Sequence, residues 1–120
     1  MAAIANKYNK KAAHYTYNFP KEPYYKKLEE LYDPKNPEQV FMVYGLYINR
    51  SGKYGDQAIA ATDADVIINL PNHLLEDVKL MREDDELTEA INHDKVGMKI
   101  RPYQVKGKRG TFYTVEWVDL

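Results

Sequence analysis

The sequence predicts a mainly β fold with one or two helices. Three observations predict it. Runs rich in β-branched and aromatic residues recur between turn signals, the strongest being "VFMVYGLYIN" at 40–49. One long stretch, "PNHLLEDVKLMREDDELTEAINHD" at 71–94, carries a helical period. Near the end, "MKIRPYQVKGKRGTFYTVEWV" at 98–118 places two alternating runs about a glycine-flanked loop. With 120 residues, 44% of them apolar, the chain is long enough for one domain with a real core.

The elements follow in order. Residues 1–23 show no clear period, and "NFPKEP" reads as an extended arm. "YYKKLEELY", 24–32, puts Tyr24, Leu28, Leu31 and Tyr32 on one helical face, with Lys26 and Lys27 three residues before Glu29 and Glu30. "DPKNP" ends that short helix, because proline lacks the donor that a helix needs. In the 40–49 strand the even set (Val40, Met42, Tyr44, Leu46, Ile48) is wholly apolar and is assigned to the core. The odd set (Phe41, Val43, Gly45, Tyr47, Asn49) is assigned to the wetter face. Gly45 in mid-strand predicts a bulge or bend. "RSGKYG" is a turn, "DQAIAATDA" a second strand and "DVIINL" a third. The helical stretch starts at Pro71 or Asn72 and carries Leu74, Val78 and Met81 on its apolar stripe, continued by Leu87 and Ala90 or Ile91. "REDDEL" is a candidate break into two helices. Strands at 96–105 and 111–118 close the chain as an antiparallel hairpin.

A helix between the third and fourth of five strands is the layout of an OB-fold barrel. The expected division is a basic, Tyr-rich N-terminal extension with a short helix, 1–37, followed by the barrel, 38–120. In such barrels the groove over strands 2 and 3, with the loops joining strands 1–2 and 4–5, receives oligonucleotides and oligosaccharides. Both of those loops are basic and glycine-rich here. "NRSGKYG" brings Arg50, Lys53 and Tyr54, and "KGKRG" brings Lys106, Lys108 and Arg109.

Composition excludes several classes. There is no cysteine, hence no disulfide, thiolate metal site or thiol nucleophile. No apolar run is long enough for a membrane span, and "MAAIANKYNKK" lacks the core of a signal peptide. A non-membrane, intracellular protein is expected. Eleven Tyr against three Phe and one Trp point to half-wet aromatic surfaces, since a buried hydroxyl needs a partner. The net charge of −1 hides a segregation: residues 1–35 carry seven Lys against four acids, 63–94 carry ten acids against two bases, and 95–120 carry six bases against two acids. Charge sorted in this way supports a positive face on a nearly neutral protein.

Single-stranded nucleic acid needs cations for phosphates and flat side chains for unpaired bases. The last hairpin supplies both. With Met98, Ile100 and Pro102 inward, Lys99, Arg101 and Tyr103 face outward. On the partner strand Tyr113, Val115 and Trp117 form the buried set, leaving Phe112, Thr114, Glu116 and Val118 on the other face. Phe112 beside Arg101 and Tyr103 makes a small stacking platform. No catalytic constellation stands out. His14, His73 and His93 lie in separate elements, the acidic triplets "DAD" and "EDD" are ordinary solvated groups, and no phosphate-cradling loop is present. No enzyme activity, metal or other cofactor is expected.

The strand "FMVYGLYIN" and the ending "GMKIRPYQVKGKRGTFYTVEWVDL", in this strand order, resemble the single-stranded-DNA-binding proteins of lactococcal phages, from about residue 38 onward. The resemblance implies an OB-fold protein that binds single-stranded DNA without strong sequence specificity during phage replication or recombination. It also implies assembly as a homodimer or larger oligomer, contact with replication or recombination proteins, and the cytoplasm of a bacterial host. Carried over, binding uses Tyr47, Tyr54, Lys99, Arg101, Tyr103, Lys106, Lys108, Arg109 and Phe112. A second reading is a protein-interaction module, such as a phage inhibitor whose acidic segment 63–94 mimics nucleic acid.

Overall fold

The computed structural model describes residues 14–50 and 55–120. The elements are β1 (Tyr25–Lys27), α1 (Leu28–Leu31), β2 (Val40–Asn49), β3 (Gln57–Thr62), β4 (Ile67–Asn69), a 3-10 turn (Asn72–Leu74), α2 (Leu75–Glu83), α3 (Asp85–Asn92), β5 (Val96–Tyr103) and β6 (Phe112–Asp119). They form one mixed sheet of six strands in the order β1-β4-β3-β2-β5-β6. The sheet is open, with β1 and β6 at its edges. The expectation of five strands in a barrel therefore meets a sixth strand, drawn from the N-terminal extension.

β2 organises the sheet because it is long enough to serve two partners. Val40–Met42 pair with Gly97–Lys99 of β5, and Val43 onward pairs with β3. The register slips between Val43 and Gly45, which is the bulge that Gly45 predicts. The bulge also overturns the assignment of faces. Phe41 and Val43 are buried, whereas Val40 is exposed and Met42 and Tyr44 are half-buried. Past the bulge the phase shifts, so Leu46 is buried and Ile48 packs on the core as expected. An extra residue in a strand of period two exchanges its faces, and no single alternation fits both halves.

Gly45 has a second role. A Cβ there would lie 2.5 Å from the Tyr47 hydroxyl oxygen and 2.7 Å from its ring. Moving Tyr47 aside would disturb its ring contacts with Tyr15 and Phe19, edge-on at 5.3 and 5.0 Å. Gly45→Ala is expected to lower stability by about 1–3 kcal/mol, the usual cost of overpacking. A denaturant melt checks this, and an unchanged midpoint would mean that the ring repacks freely.

The helix expected over 24–32 is half strand. Tyr25–Lys27 pair parallel with Ile67–Asn69, and only Leu28–Leu31 are helical. The free edge of β4 offers a ladder of hydrogen bonds, and the Tyr-rich segment takes it. Tyr24, placed on the apolar helical face, is 68% exposed. Leu28 alone of that set is fully buried, while Leu31 and Tyr32 are half-buried.

The stretch 71–94 breaks where "REDDEL" predicts, at Asp84. Asp84 leaves the helical region, and its carboxylate caps α3 by accepting the Leu87 N–H at 3.1 Å. Val78 of α2 and Ile91 of α3 enter the main core with Leu46, Ile68 and Met98. In the hairpin, Met98, Ile100 and Val115 are buried as expected, and Tyr113 and Trp117 stand half-buried against the same core. Pro102, assigned inward, is exposed, because the hairpin there has run past the core.

Candidate nucleic-acid interface

The hairpin register puts Tyr103 opposite Phe112, Arg101 opposite Thr114 and Lys99 opposite Glu116. Cross-strand neighbours on one face touch. The Tyr103 and Phe112 rings accordingly lie with centroids 5.7 Å apart and planes tilted by 30°. His73, from the turn after β4, meets Tyr103 edge-on at 6.2 Å and places Nε2 2.9 Å from the Thr114 hydroxyl. Together they form one wall of an open cleft of about 430 Å³. The other walls come from the β1–α1 corner (Lys27, Glu29) and from Gln57, Asn69 and Asn72.

Above this pair, residues 104–111 are all exposed. The loop turns through a bond from the Lys108 N–H to the Val105 carbonyl, 3.0 Å. Gly107 and Gly110 adopt φ of +84° and +90°, a region that side chains rarely enter. Among the described residues no carboxylate pairs with Lys106, Lys108 or Arg109.

Lys99 and Arg101 differ. The Arg101 guanidinium binds Glu116 at 3.3 Å and also grips Glu38, and Lys99 lies 3.9 Å from Glu38. The Glu38 carboxyl is held below its usual pKa by the hydrogen bond from Arg101, and Arg101 is raised by the same partnership. A phosphate reaching these two cations would compete with carboxylates already in place.

Tyr47 belongs to a different face. The bulge turns Tyr44 and Tyr47 to the same side of β2, over Ile59, Ala61 and Ile67. An N-terminal arm covers them. Tyr17 stacks on Tyr44 at 5.7 Å, Tyr15 and Phe19 flank Tyr47, and the Arg82 guanidinium sits 5.7 Å from the Tyr47 centroid. Asn92 pins the arm at two points, accepting from the Thr16 N–H and donating to the His14 carbonyl, both at 2.9 Å. The alternation in "HYTYNF" was the available signal for this arm, but the sequence gives no hint of which face receives it. Tyr54 and Lys53, the other half of the expected interface, lie outside the described residues.

Burial pushes the Tyr47 hydroxyl up to about 12 from 10.0, with Tyr15 and Tyr17 adding to the effect and Arg82 opposing it. A phenol raised on folding contributes stability in full below its unfolded pKa. That stability is lost as pH climbs from about 10 to about 12, because the unfolded chain releases its proton first. Tyr47→Phe is therefore expected to fall less steeply in denaturant midpoint across that window. Equal slopes would show that the hydroxyl is solvated.

The acidic segment is largely explained by the fold. Asp63 closes the β2–β3 end through its backbone N–H to the Met42 carbonyl and its carboxylate to the Met42 N–H. Asp84 is a cap, and Glu76, Asp77, Asp85 and Glu86 sit in first helical turns, where negative charge is favoured. The described residues hold no group of His and acids arranged for a metal. No described helix is long and apolar enough to cross a membrane.

No protein-family model, curated protein or solved structure matches this chain.

Proposed function

We propose that the protein binds single-stranded DNA without strong sequence specificity, by stacking bases on Tyr103 and Phe112 and drawing phosphates to the Lys106, Lys108 and Arg109 loop. The observation that carries this is the contact of the two rings at the root of three exposed cations that no described carboxylate pairs. Stacking tolerates any base, and cations track any backbone, so the pair suits a non-specific single-strand binder. We read β2–β6 as an OB-type barrel left open between β4 and β6, with β1 laid on the exposed edge of β4. A role in phage DNA replication or recombination, in the host cytoplasm and as a homo-oligomer, completes the proposal. It draws on the likeness of the β2 and hairpin sequences to lactococcal phage single-strand binders.

The test is a titration of intrinsic tyrosine and tryptophan emission with oligo-dT of about 30 nucleotides, at two salt concentrations and against a duplex control. Salt-sensitive quenching by the single strand alone is expected. Absence of a response at low salt would overturn the reading.

A further inference from the structure

The cleft beside Tyr103 and Phe112 holds more than a stacking platform. Asn69 and Asn72 are among the residues that line it, and their side-chain amides make no hydrogen bond with any described residue. Gln57 donates its NH₂ group to the Ala58 and Leu70 carbonyls, and its amide oxygen has no hydrogen-bond partner among the described residues. Three amide-bearing residues thus line the cleft at one end of β3 and β4, together with the aromatic wall that His73 joins through Thr114. An amide presents a donor and an acceptor side by side, the pattern carried on the edges of nucleobases. A platform that only stacked would have no use for them. The volume, about 430 Å³, is in the range of small-ligand sites and leaves room for one nucleotide unit.

We infer that this cleft is a subsite for a single nucleobase of the bound strand, stacked against Phe112 and Tyr103 and read at its edge by Asn69 and Asn72. The inference rests on the single-strand reading above. It adds that binding, although tolerant, carries a modest preference for base composition, set at one position. Lys27, at the cleft margin, and the loop cations above it flank that base with positive charge.

The experiment compares affinities for oligo-dT, oligo-dC and oligo-dA of equal length, in the wild type, in Asn69→Ala, in Asn72→Ala and in the double variant. One good edge contact discriminates by about 1–3 kcal/mol, so one homopolymer is expected to bind at least about fivefold more tightly than the weakest. The variants should bring the three affinities together by weakening the preferred one. Each single variant is read separately, with its melting temperature as a control, so a double variant that fails to fold does not remove the test. Binding of all three homopolymers with equal affinity in the wild type would overturn the subsite and leave the single-strand reading standing. A preference that survives both single variants would do the same. Binding of none would overturn both.

Discussion

Lys106→Gln, Lys108→Gln and Arg109→Gln together are expected to weaken oligo-dT binding by about 100-fold at 0.1 M salt and to flatten its log–log salt dependence by about 2. Each phosphate neutralised on a single strand contributes about 0.7 to that slope, through release of a condensed counterion. Three cations that no described carboxylate pairs should therefore each show up in it. The loop is fully exposed and its turn is made by backbone groups and two glycines, so replacing its cations leaves the fold in place. The contrast with Arg101 sharpens the result. Arg101→Gln should change the slope less, because its charge is already shared with Glu38 and Glu116. Fluorescence titration across a salt series measures both. A triple variant that keeps the wild-type slope would remove the loop from the interface.

Removing the rings should leave a different signature. Tyr103→Ala or Phe112→Ala is expected to weaken binding by about 5- to 150-fold, the range spanned by 1–3 kcal/mol per stacked base, with the salt slope unchanged. The rings touch each other, so the double variant should lose less than the sum of the two singles. Tyr103→Phe and Phe112→Tyr keep a flat ring and should bind almost as the wild type does, which separates stacking from a general disturbance of the hairpin. Loss in the conservative variants as large as in the alanine variants would mean that the rings merely hold the hairpin in shape.

The hairpin was legible in the sequence because two alternating runs flank a glycine-bounded loop, but its strands end at Tyr103 and resume at Phe112, so the connection is eight residues long against the five of "KGKRG" and its register could not be read from a tight turn. The helix break was legible because Asp84 is a good capping residue ahead of an apolar period. β1 was not. Three residues with tyrosine and lysine satisfy a helix pattern equally well, and their pairing with Ile67–Asn69 depends on a contact some 40 residues away, beyond local patterning. The faces of β2 failed for a related reason. Both sets are apolar up to the bulge, so the alternation has no contrast to read. The partnership of His73 with Thr114, 41 residues apart, leaves no mark on the sequence at all.

The arm over Tyr44 and Tyr47 has a consequence in mass action. It is tethered to β1 through residues 20–24, so its three rings face their own sheet at the high effective concentration of an intramolecular partner, of millimolar order for a short link. Any ligand that seeks those two tyrosines meets a competitor that never diffuses away, and its apparent affinity is scaled down by the fraction of time the face stands bare. No described segment covers the Tyr103–Phe112 cleft in this way. A strand held at the Tyr103–Phe112 cleft, as proposed above, is therefore expected to reach Tyr44 and Tyr47 only where its local concentration outcompetes Tyr15, Tyr17 and Phe19.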